Sequence, residues 1–148
     1  MGNKTTSDDK RSHLEFIQGV INRLSSNTFL FKGWSVTIIG AVFTAMITTR
    51  NNDLLWLILG IVLIFWAIDA YYLMLERGYR KLYKQVAETS SEKIDYGMNI
   101  GQFIEFSTWL EAFRRPILLL FYGIVLIVVV GIIINNNFDI SLLIKIRN

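Results

Sequence analysis

The stretch Leu54 to Leu75, LLWLILGIVLIFWAIDAYYLML, decides the fold class: twenty-two residues whose single charge is Asp69. As a helix it rises about 33 Å, against a hydrocarbon core of about 30 Å. A run of that length and polarity spans a bilayer. A second run, Ile117 to Ile134 (ILLLFYGIVLIVVVGIII), carries no charge, and Pro116 stands at its first turn, where a missing N–H costs little. A third, Trp34 to Thr49 (WSVTIIGAVFTAMITT), is shorter and rich in threonine. Phe29-Leu30-Phe31 extend it backwards, with Lys32 able to snorkel towards headgroups. These runs hold much of the apolar content of a chain of 148 residues, 53% apolar and 18% charged. The sequence predicts an all-α membrane protein with three transmembrane helices, helical cytoplasmic extensions and an oligomeric working state.

Basic residues set the expected orientation. Five precede the first span, one (Arg50) lies between the first two, seven lie between Glu76 and Arg115, and two lie in the tail. A cytoplasmic N-terminus puts twelve of the fifteen inside; the opposite orientation puts three there. The expected organisation is a disordered 1–12, a cytoplasmic amphipathic helix 13–33, spans 34–49 and 54–75, a cytoplasmic helix and loop 76–115, a span 117–134, and an external tail 135–148. The location that follows is a membrane, with the N-terminus cytoplasmic and the C-terminus external; the resemblance given below implies a bacterial inner membrane. The tail's ISLLIKI stretch is expected to lie against the membrane surface or a neighbouring subunit.

Ser12-His13-Leu14-Glu15 reads as a capping box, with Leu14, Ile17, Ile21 and Leu24 following at helical spacing. Gln18, Asn22 and Ser26 form a polar row on another face, a candidate inter-subunit contact. The second span is expected to continue as a helix to Val86, with Tyr72, Leu75, Tyr79, Leu82 and Val86 on one apolar stripe. Glu76 is placed to pair with Arg80 one turn on. Ala87 to Gly101 reads as a loop. Thr108-Trp109-Leu110-Glu111 reads as a second capping box, opening a short helix that ends at Arg114-Arg115.

Catalysis is disfavoured. There is no cysteine, and His13 is the only histidine, so thiolate sites, histidine metal clusters and Ser-His-Asp triads cannot be built within one chain. His13 itself reads as a polar surface group. No glycine-rich phosphate loop occurs, nothing distinguishes Glu105 or Glu111 from solvated carboxylates, and no cofactor or metal is implied.

Three features remain. In the first span Gly33, Thr37, Ala41 and Ala45 make one row of small residues, and Gly40, Thr44 and Thr48 an adjacent one, opposite Ile38, Val42 and Met46. Such a face either packs against another helix, with hydroxyls bonding across, or lines a water-filled path in an oligomer. Asp69 is a charge within a span, suited to a structural pairing or to an ion pathway. Arg77, Arg80, Lys81 and Lys84, with Arg23 on the N-terminal helix, either meet lipid headgroups or hold a phosphate-bearing ligand.

Three segments carry a resemblance: His13 to Thr37 (HLEFIQGVINRLSSNTFLFKGWSVT), Phe65 to Val86 (FWAIDAYYLMLERGYRKLYKQV) and the WL…PILLLFYG pattern of Trp109 to Gly123. Together they resemble small bacterial multi-span membrane proteins of antiphage defence operons, of the Hailong-type membrane effector group. The resemblance implies a homo-oligomeric channel held closed by an oligonucleotide that a partner nucleotidyltransferase makes. The expected function is a gated inner-membrane channel or pore under control of a cytoplasmic nucleotide or nucleic-acid ligand. The rival is a non-conducting anchor that recruits a soluble protein.

Overall fold

The computed structural model describes the backbone of residues 2–147 and the side chains of residues 7–135. Its elements are α1 (Gly2–Thr49), α2 (Leu54–Glu88), two 3₁₀ turns (Ser91–Lys93 and Gly101–Phe103), α3 (Phe106–Phe113) and α4 (Pro116–Arg147). The protein is 87% helix, with no strand among the described residues. Helices α1, α2 and α4 are long and apolar enough to cross a membrane. The expected placement of the tail's ISLLIKI side chains lies outside the described residues.

The chain divides into two compact units. One comprises residues 31–68 and 114–148 and holds most of the apolar runs. Its buried positions repeat at helical spacing: Leu55, Ile58, Val62 and Trp66 at three- and four-residue steps on α2, and Leu118, Tyr122 and Val129 at steps of four and seven on α4. That spacing makes one stripe per helix. Trp66 and Tyr122 stack, centroids 6.0 Å apart and planes 13° from parallel. The other faces expose Trp56, Leu57, Leu63 and Ile64 on α2 and Ile117, Leu120, Ile124 and Ile127 on α4. Continuous outward apolar surface of this kind suits hydrocarbon, not water. Arg50 ends α1 with φ at 53°, the left-handed conformation common just past a helix end. Asn51 then accepts the Asp53 N–H, and the turn passes into α2.

The second unit comprises residues 1–30 and 69–113. Ile17 and Ile21 of α1 bury against Leu82 and Val86 of α2, with Leu14, Leu75 and Tyr79 alongside. Most of the two apolar stripes legible in the sequence meet here. The segment between α2 and α3 is not a passive loop. Ile100 is buried in that same core, and Ile94, Met98, Phe103 and Ile104 pack against it. Its path is held by local bonds: Asp95 accepts the Gly97 N–H and Asn99 the Gly101 N–H. A smaller core joins Ala70 and Met74 of α2 to Ala112, Trp109 and Phe113 of α3.

Three expectations about helix starts need correction. α1 begins at Gly2, so residues 2–12 are helical and not disordered. Lys10 gives that early helix a tertiary role, its ammonium donating to the carbonyls of Ala87 (2.9 Å) and Thr89 (2.7 Å). Those carbonyls lie at the C-terminal end of α2, where acceptors lack intrahelical partners and a cation is favoured. Ser12 therefore caps nothing, and Glu15 pairs backwards with Arg11 at 3.2 Å. At α3 the start moves to Phe106. Thr108 accepts the Glu105 N–H (2.9 Å) and donates to the Glu105 carbonyl (2.7 Å), so the threonine serves Glu105 and not its own cap.

Candidate functional site

The threonine-rich face of α1 is exposed along its length: Thr37, Gly40, Ala41, Thr44 and Thr48 are all open. The packed seam runs on another side, through Ser35, Ile39, Val42 and Met46, of which Ser35 and Met46 are buried. Only 11% of the most apolar window of α1 is buried, against 33% for α2. Among the described residues these hydroxyls do not bond across to another helix. Each returns to a carbonyl four residues earlier: Thr37 to Gly33 (3.0 Å), Thr44 to Gly40 (2.9 Å), Thr48 to Thr44 (2.9 Å) and Thr49 to Ala45 (2.8 Å). A hydroxyl bonded in this way keeps acceptor capacity directed outwards. The face is thus small, weakly polar and internally satisfied.

Asp69 is completely buried and belongs to the unit formed by residues 1–30 and 69–113. The spans' outward surface does not include it. The sequence leaves Asp69 open to a structural pairing or an ion pathway; in the fold it is a buried residue.

The four cations on α2 differ in circumstance. Glu76, largely buried, accepts Arg80 through both Nε (2.9 Å) and Nη2 (2.7 Å), the pairing expected from their spacing. Lys84 lies 3.8 Å from Glu88 in a fully solvated pair worth little. Arg77 is half-buried. Lys81 is exposed and lines a shallow cavity of about 390 Å³ with Lys84, Gln85, Glu88 and Phe103. Two acids thus stand among the cations, a dilution that the count of basic residues did not reveal.

Arg23 is not part of that face. It lies on α1 beside a groove lined by His13, Phe16, Tyr96 and Met98. His13, expected on the surface, is only 6% exposed. The loop ring of Tyr96 meets it edge-on at 5.3 Å. The sequence signal for this was weak: His13 neighbours the core stripe, but the residue that covers it lies far along the chain. Gln18, Asn22 and Ser26 form an exposed row, with Gln18 donating to Asn22 at 3.1 Å.

Comparison of the chain with protein-family models, with curated proteins and with solved structures found no match.

Proposed function

We propose that this chain is one subunit of an oligomeric inner-membrane effector that forms a gated ion channel or pore and acts in antiphage defence. The observation that carries this reading is the outward hydroxyl face of α1, Thr37, Gly40, Ala41, Thr44 and Thr48. Lipid does not call for such a face, since Leu, Ile and Val serve there at lower cost. Among the described residues no element covers it. Copies arranged about an axis would turn it inwards, where outward acceptor capacity can meet water and ions. Gating by a cytoplasmic nucleotide or nucleic-acid ligand, made by a partner nucleotidyltransferase, is supported by the resemblance of the three quoted segments. Lys81 on α2 is exposed and is placed to meet its phosphates.

The test is membrane potential in bacteria that express the chain, read with a voltage-sensitive dye. The native chain is expected to depolarise the membrane once its control is lifted. Thr44→Trp, reaching the membrane in equal amount, is expected to abolish the effect by filling the path. Unchanged potential with the native chain in every partner background would replace this reading with that of a non-conducting anchor.

A further inference from the structure

We infer that the groove along α1 between His13 and Arg23 binds a small organic anion with a flat apolar body, such as an aromatic phosphate monoester or carboxylate. The cavity measures about 650 Å³, within the usual range for small-molecule sites. One wall is a single face of α1, on which His13, Phe16, Val20 and Arg23 follow at three- and four-residue steps. The opposite wall is Tyr96 and Met98.

Three observations converge on a ligand. His13 is 6% exposed, and its Nε2 is buried with no hydrogen-bond partner among the described residues. Buried polar atoms are paired in the great majority of cases; this nitrogen is closed to water here, so it takes a ligand's polar edge only once the side chains around it, Tyr96 among them, move aside. Next, Phe16 and Tyr96 present open ring surface, 71% and 46% exposed, on the two walls. Rings so placed favour a flat apolar body between them. Finally, the groove is polar end to end: Asp9 borders it at one end and Arg23 at the other. An anion is repelled at the Asp9 end and can be held by two N–H groups at the Arg23 end.

The dimensions agree. His13 and Arg23 are separated by about 15 Å of helix axis. Helical side chains lean towards the N-terminus, and the arginine stem reaches further than the imidazole, so the span between the two polar groups is shorter than that. A bicyclic ring system with one anionic group fills it, its anion on Arg23, its ring beside Phe16 and Tyr96, and a polar edge at His13 Nε2. The site uses none of the α2 cations, and it stands whether or not the chain conducts ions.

The experiment is equilibrium dialysis of 1-naphthyl phosphate, followed by its fluorescence, against the full-length protein in zwitterionic nanodiscs, with empty nanodiscs as the baseline. Saturable binding of one molecule per chain is expected. Arg23→Gln and Phe16→Ala are each expected to weaken it about tenfold, the effect of losing one charge-assisted contact or one ring wall. Both positions are exposed, and circular dichroism checks that each variant folds. Inorganic phosphate and 2-naphthol, each supplying half of the chemistry, should displace 1-naphthyl phosphate with inhibition constants about tenfold weaker than its own dissociation constant. Lys81→Gln should leave the affinity unchanged. No binding above empty nanodiscs, or binding indifferent to both Arg23→Gln and Phe16→Ala, overturns the inference; loss on Lys81→Gln alone overturns it too, by moving the site to α2. None of these outcomes bears on depolarisation, which tests the pore separately.

Discussion

At Gly78 the space for a side chain is almost nil. An added Cβ would lie 3.2 Å from Ile100 Cδ1 and 3.6 Å from Ile104, so the loop approaches α2 as closely as it does because position 78 has no side chain. Gly78→Leu is expected to cost about 1–3 kcal/mol by overpacking, seen as a lower thermal midpoint in detergent. A midpoint equal to that of the native chain would mean the loop is not seated there. His13 is governed by the same loop. Its place beside Leu14 and Ile17 was readable from helical spacing, but its burial was not, because Tyr96 reaches it only through the fold. Glu76 and Arg80 were readable, since a pair four apart on one helix meets without help from tertiary structure.

At the scale of elements, apolar periodicity was the dependable signal and capping motifs were not. The stripes of α1 and α2 identified Ile17, Ile21, Leu82 and Val86, and these are core residues. The pattern S-x-x-E at Ser12 promised a helix start that the chain does not have, since Ser and Glu three apart are equally compatible with a helix interior. What extends α1 upstream is non-local: Lys10 ties it to the end of α2. Lys10→Met is expected to cost about 1 kcal/mol, the usual net worth of a partly solvated hydrogen-bonded contact. Amide exchange should accelerate selectively in the last turn of α2; unaltered protection of Val86 to Thr89 would show that the tether is idle. The threonines of α1 add a further lesson. Their spacing revealed a common face, but the partners of their hydroxyls proved to be carbonyls of the same helix.

At the scale of the whole molecule, the division into two units separates the outward apolar helices from the packed core of residues 1–30 and 69–113. The absence of cysteine makes the proposed assembly easy to test. Thr44→Cys introduces the only thiol in the chain, and mild oxidation of native membranes is expected to give covalent dimers if copies share the α1 face. Ile64→Cys, on an outward apolar position of α2, is expected to stay monomeric. Equal cross-linking at both positions would remove the argument for a shared hydroxyl face. Orientation belongs to this scale as well. With twelve of fifteen basic residues on the expected inner side, an impermeant amine-reactive reagent applied outside intact cells should leave Lys81 and Lys84 unmodified, whereas strong labelling would reverse the topology.

By itself the amino-acid sequence determined the helical class of this protein: its three charge-poor runs are helices long and apolar enough to cross a membrane, where only a helix satisfies its own backbone. It also determined which stripes pack, since helical periodicity is a local property. Only the tertiary structure decided that the 94–104 segment completes a core, that Asp69 and His13 are buried, and that the hydroxyl face of α1 is left outward. Each of these depends on which surfaces of distant segments meet, and contacts far apart along the chain leave no periodic trace in the sequence.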